Sequence, residues 1–157
     1  MRITAISEWT LPLLLLGIPL LAVASQQEEE KIPPGHVVKV QLGSVDNQMR
    51  FFPHNIALNE GERYMLFLSN PSPVTHEFAS ESFSDYIETE KVKVFSAEGD
   101  LVAYVVGHVQ EVELLPGGYI QWIFVTKKAA PEIDLICDIP GHRDAGMVGA
   151  IMIRSAN

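Results

Sequence analysis

The chain has 157 residues, 47% of them hydrophobic, enough for one domain with a closed core. Its formal net charge is −9 and it carries no Lys/Arg cluster, which argues against nucleic acid or an anionic membrane surface as partner and favours a basic protein. One cysteine excludes an internal disulfide.

Residues 1–24 read as a signal peptide. Arg2 supplies a charged start, and Trp9 to Ala24 (WTLPLLLLGIPLLAVA) is almost wholly apolar. The run closes on Ala22-Val23-Ala24, the small-x-small pattern that a signal peptidase pocket admits. An uncleaved anchor is the competing reading, but a membrane span takes roughly 20 residues, and Pro12, Gly17 and Pro19 weaken this stretch as a helix. Cleavage removes one base (Arg2) and one acid (Glu8), so the net charge stays at −9. Export is therefore expected, to a periplasm or a thylakoid lumen, with no stable membrane insertion afterwards. Residues 25–35 (SQQEEEKIPPG) are acidic and then proline-rich, as a solvated leader is.

The domain proper is expected over 36–157. HVVKVQL (36–42) alternates apolar and polar residues like a half-buried strand. MRFFPHNIAL (49–58) holds Pro53, which places it at an edge or a bend. After the NEG turn, YMLFLSN (64–70) is a strong strand; NPSP breaks it and VTHEFAS (74–80) resumes. ESFSDYIETE (81–90) reads as a short helix or irregular insertion, and KVKVF (91–95) alternates again. LVAYVVG (101–107) reads as a buried run. VQEVELL (109–115), YIQWIFVT (119–126), IDLIC (133–137) and MVGAIMI (147–153) complete the series, with Tyr104, Trp122 and Phe124 as core candidates. About eight strands separated by regular turn signals predict an all-β Greek-key sandwich.

The stretch CDIPGHRDAGM (137–147) carries the chemistry. It spaces Cys137, His142 and Met147 as C-x4-H-x4-M between two strands expected to be neighbours. Thiolate, imidazole and thioether together suit copper, whereas magnesium and calcium take oxygen ligands. Gly141 and Gly146 permit the tight turns that would aim all three side chains at one point. A lone cysteine in an oxidising compartment is either bridged to another chain or occupied, which also favours a bound metal. A trigonal site with a weak axial methionine needs a second histidine. Of the five present, His76 follows YMLFLSN directly, where its loop shares an end of the sandwich with 137–147. His36, His54 and His108 have no partner at metal spacing.

With these residues in view, the sequence resembles the cupredoxins, the type 1 blue-copper family, and in loop length its azurin- and rusticyanin-like branches more than plastocyanin. MRFFPHNIALNEGERYMLFLSNPSPVTHEF is similar to the family's F-x-P…G…N…H segment, and CDIPGHRDAGMVGAIMI to its closing C…G-H…G-M strand. The resemblance implies one type 1 copper ion held by His76, Cys137, His142 and an axial Met147. It also implies that the ion cycles between Cu(I) and Cu(II) while the protein shuttles electrons between larger redox proteins. His142 is then the ligand nearest the surface, ringed by Ile139, Pro140 and Met147 as a docking patch. Two features depart from the pattern. Glu77 stands where many relatives have Asn or Ser bracing the ligand loops, a role Asn70 could take, and the 81–95 insertion is long.

Other chemistries fit less well. A Cys–His nucleophile pair has no orienting third residue in any recognisable pattern, so no catalytic constellation is expected. Zinc would call for more Cys or His and no Met. A dinuclear copper centre needs two cysteines, and a multicopper oxidase needs H-x-H pairs that the sequence lacks. Copper storage, delivery or sensing stays open as an alternative function, as does a mononuclear copper enzyme with an open coordination position.

Overall fold

The computed structural model describes residues 35–156. The expected signal segment, and all but the last residue of the expected leader, lie outside them. Within them the chain forms eleven strands rather than eight. In order these are β1 (His36–Leu42), β2 (Phe51–Phe52), β3 (Asn55–Asn59), β4 (Arg63–Ser69), β5 (His76–Ala79) and β6 (Ile87–Phe95). Then come β7 (Leu101–Val105), β8 (Glu111–Leu114), β9 (Tyr119–Thr126), β10 (Ala130–Ile136) and β11 (Val148–Arg154).

Two sheets face each other. One has the order β2-β1-β4-β9-β6-β7, the other β3-β11-β10-β5-β8. Only β1–β2, β6–β7 and β10–β11 are consecutive strands that stay in one sheet; every other connection crosses over, as Greek-key winding requires. The β1–β4 and β3–β11 pairs are parallel and the rest antiparallel.

Period-2 patterning places the core. Tyr64, Leu66 and Leu68 of β4 point inward, as do Ile120, Trp122 and Phe124 of β9, against Ile133 and Leu135 of β10 and Ile151 and Ile153 of β11. Pro53 does more than bend one strand. The chain leaves the first sheet after Phe52 and enters the second at Asn55, so the expected single strand is two edge strands in different sheets.

The expected insertion at 81–90 is one turn of 3-10 helix at Phe83–Asp85, after which β6 begins at Ile87, earlier than its alternation suggests. That turn delivers Phe83 into the core. Its ring packs edge-to-face on Trp122 (centroids 5.7 Å apart) and Phe124 (5.5 Å), and Phe78 reaches the same cluster from the other sheet. The reading of 101–107 as buried is overturned. β7 is the outer strand of its sheet, every residue in it is exposed, and Tyr104 is 59% accessible rather than in the core.

Phe83 is thus the plug between the sheets. Phe83→Ala should cost about 3–5 kcal/mol, read as a lower urea midpoint at unchanged m-value. An exposed excursion would lose almost nothing.

Candidate metal centre

Strand registers gather the ligand-bearing segments at one end of the sandwich. β5 opens on His76, paired with Leu114 at the end of β8, and β10 ends beside it with Ile136 opposite Ala79. Cys137 follows Ile136 directly, and β11 resumes after Met147. The connection 137–147 is a closed loop. The Cys137 N–H donates to the Met147 carbonyl (3.2 Å), the Met147 N–H to the His142 carbonyl (3.0 Å), and the His142 N–H to the Ile139 carbonyl (3.0 Å). Gly141 and Gly146 take φ of +88° and +98°, the left-handed turns expected of them.

Three of the four expected ligands meet. His76 Nδ1 lies 3.2 Å from His142 Nδ1, and Cys137 Sγ lies 3.3 Å from the same His142 nitrogen. The three donor atoms fall within 4.8 Å of one another, with His76 and Cys137 fully buried and His142 partly exposed. Met147 is fully buried in the same loop and belongs to the core cluster with Cys137, so it is not part of a surface patch. His36 instead pairs with Glu62 (3.1 Å), the His54 carbonyl accepts the Ala150 N–H (2.9 Å), and His108 lies before β8, bonded to Ser84 Oγ (2.9 Å).

The donor set fits a soft or borderline cation. Two imidazole nitrogens and a thiol converge, yet they have too few protons to bond one another fully. The charges acting on the sulfur are the carboxylates of Glu77 and Asp138. Burial, first, and the facing His142 hold the His76 imidazole down at about 4, which keeps it neutral and its nitrogen free to ligate. Burial also pushes the Cys137 thiol up, opposed by the N–H groups of Glu77 and Ile139 aimed at the sulfur. A cation between these donors would supply the positive charge that a buried thiolate needs.

Bracing is divided between two residues. Glu77 ties the ligand segments together, its N–H donating to Cys137 Sγ (3.3 Å) and its carboxylate accepting the Asp138 N–H (3.1 Å). Asn70 is buried and locks the approach to His76. Its Nδ2 donates to the Val74 and Leu114 carbonyls (2.8 Å each), and its Oδ1 accepts the Ser72 N–H (2.9 Å). Burial pushes the Glu77 carboxyl above its usual range; the Asp138 bond opposes this, and the charges of Glu111, Asp138 and Glu113 add to it.

Sequence reading missed Gly43. His76 Nε2 is buried without a hydrogen-bond partner and lies against the Gly43 backbone. A Cβ there would sit 2.3 Å from His76 Nε2 and 2.9 Å from Ser72 Cβ, and φ is +72°. The glycine after β1 was visible as a turn, but nothing in the sequence links it to His76.

Such a cluster, two histidines and a cysteine gathered at the pole of a Greek-key sandwich, could hold a metal ion. Residues 38–154 match the copper binding proteins of the plastocyanin/azurin family. The chain belongs to that family. It is 29% identical over 140 residues to the copper-resistant cuproprotein CopI of Rubrivivax gelatinosus, covering 77% of this chain and 72% of that protein. Its fold is similar to that of a multicopper oxidase from Campylobacter jejuni (TM-score 0.59, 12% identity, 77% of this chain and 30% of that one). It is likewise similar to a copper nitrite reductase from Nitrosomonas europaea (TM-score 0.54, 11% identity, 81% and 52%). This chain thus spans about a third to half of those two enzymes, and at such identities the likeness is one of fold.

Gly43→Ala should disturb the centre where Gly61→Ala does not. Both have positive φ, +72° and +77°, and should lose about 1–2 kcal/mol to backbone strain. Gly61 has open space around it, so only Gly43→Ala should also shift the His76 ring resonances in an NMR spectrum of the metal-free chain.

Proposed function

We propose that this chain is an exported type 1 copper protein that carries single electrons between larger redox proteins, with His76, Cys137 and His142 as equatorial ligands and Met147 as the axial one. The observation that carries this reading is the assembly of His76, Cys137 and His142 on a strand start, a strand end and a cross-braced loop. Copper, when bound there, supplies a one-electron Cu(I)/Cu(II) couple. The chain's part is to hold its donors in place so that little rearrangement accompanies a change of charge. Asn70, Gly43 and the Glu77 bonds do that. With Met147 ligating, no coordination position stays open, which favours a carrier over an enzyme. His142 is the ligand with an exposed edge, so electrons would pass there, beside half-buried Ile139 and exposed Pro140. The net charge of −9 would steer a basic partner toward it. The apolar run Trp9–Ala24 supports export, to a periplasm or a thylakoid lumen; among the described residues no helix is long and apolar enough to cross a membrane.

Copper tolerance through binding is the second reading, favoured by the relative named as a copper-resistant cuproprotein. The two differ in how firmly metal is held. A carrier loaded with Cu(II) should be intensely blue, show a narrow copper hyperfine pattern in paramagnetic resonance, and resist a chelator. Cys137→Ser should abolish the colour. A pale protein that surrenders its copper readily would point to storage or delivery instead.

Glu77 places a carboxylate next to the sulfur ligand. Removing that negative charge disfavours the more highly charged cupric state. Glu77→Gln should therefore raise the midpoint potential, by on the order of tens of millivolts, measured by redox titration of the blue band.

A further inference from the structure

His76 Nε2 is a buried ring nitrogen without a hydrogen-bond partner among the described residues. Its other nitrogen, Nδ1, faces His142 Nδ1 at 3.2 Å. A neutral imidazole has one proton for two nitrogens. In the metal-free chain that proton can sit on Nδ1, toward His142, and Nε2 is then a bare lone pair. Once Nδ1 ligates a cation, the proton has only Nε2 left to occupy. Ligation therefore turns Nε2 into a donor, and a buried donor left unpaired carries its full desolvation cost.

The Ser72 side chain lies next to this nitrogen. The point where a Gly43 Cβ would stand is 2.3 Å from His76 Nε2 and 2.9 Å from Ser72 Cβ. Ser72 is itself buried, so its bonding capacity can be counted from its neighbours. Its proton goes to Asn47 Oδ1 over a long 3.4 Å, and one oxygen lone pair accepts the Val74 N–H (3.3 Å). The second lone pair takes no bond among the described residues. Both flanking segments are framed. The Ser72 N–H donates to Asn70 Oδ1 (2.9 Å), and Asn47 is held left-handed at φ +59° with its N–H on the Ser44 carbonyl (2.9 Å).

We infer that Ser72 is a positioning residue of the centre: the unspent lone pair of its hydroxyl accepts the His76 Nε2 proton when Nδ1 holds metal. The inference rests on the copper reading above and fixes the His76 ring from the side away from the ion. It also gives Gly43 a second reason to be glycine, since a Cβ there would collide with the acceptor's carbon as well as with the ring. Asn70 then acts on His76 by two routes. It orders the Ser72 backbone, and its Nδ2 holds the carbonyl of Leu114, the residue opposite His76 in the β5–β8 pair.

Cu(I) is diamagnetic, so the Cu(I)-loaded chain can be followed by proton NMR. The His76 Nε2–H should give a separate resonance with a cross-peak to the Ser72 β protons. Ser72→Ala should move that resonance upfield and weaken Cu(I) binding by about tenfold in competition with a chelator. The bonds from Ser72 to Val74 and Asn47 exist without metal, so their loss alone would lower stability in both forms and leave the affinity where it was. Asn47→Gly keeps the left-handed turn and removes the carboxamide; resonance and affinity should both survive it. Absence of the cross-peak in the unaltered chain would overturn the inference without any variant. So would an affinity and a resonance indifferent to Ser72→Ala, because a backbone carbonyl would then be the acceptor. An equal loss of affinity in Asn47→Gly would assign the effect to loop packing and overturn it as well. A chain that takes up no Cu(I) would overturn the copper reading and this inference together, whereas the other failures leave the copper reading standing.

Discussion

The Glu77 N–H to Cys137 sulfur bond joins two segments that are far apart in sequence, the opening of β5 and the end of β10. The same residue fastens the junction twice, since its carboxylate receives the Asp138 N–H. The second sheet's register makes this possible. Ile136 opposite Ala79 leaves Cys137 level with the first residues of β5, and His76 opposite Leu114 fixes that strand from its other side. A slip of one residue would turn His76 and Phe78 outward and Glu77 inward.

This junction has an electrostatic cost that a cation offsets. Glu77 faces Glu113 across the β5–β8 pair, and Glu111 lies opposite Ala79 on the same strand. Like charges opposed on one face destabilise a sheet. Two imidazoles and a thiol crowd together, with a buried ring nitrogen that has no partner. A positive ion among the donors would relieve the crowding of Nδ1, Nδ1 and Sγ, whereas His76 Nε2 is turned to Gly43. Clustering of unfavourable terms at one pole, while the rest of the sandwich is conventionally packed, is what a functional site looks like.

Much of the fold was legible because β periodicity is a local property. The alternations of β1, β4 and β9 give their inward faces correctly, and Pro53 marks a strand that cannot run on. The sequence misled where a residue's surroundings come from elsewhere. LVAYV reads as buried because both its faces are apolar, but whether a strand is interior or outermost is decided by sheet order. ESFSD reads as a polar insertion, yet its Phe83 fills a gap between strands that carry Trp122 and Phe78.

The candidate centre divides the same way. Cys137, His142 and Met147 belong to one loop, so spacing and ligand chemistry pick them out without a structure. The choice of His76 among five histidines needed only the inference that its loop shares an end of the sandwich with that one. What the sequence alone determined was therefore the donor types and the loop that holds most of them. Only the folded chain decided that Gly43 backs the His76 ring, that Glu77 rather than Asn70 ties the loops together, and that Met147 is buried while His142 keeps an exposed edge. Those outcomes depend on distances between segments remote in the chain, which pairing register and sheet packing set and local sequence does not encode.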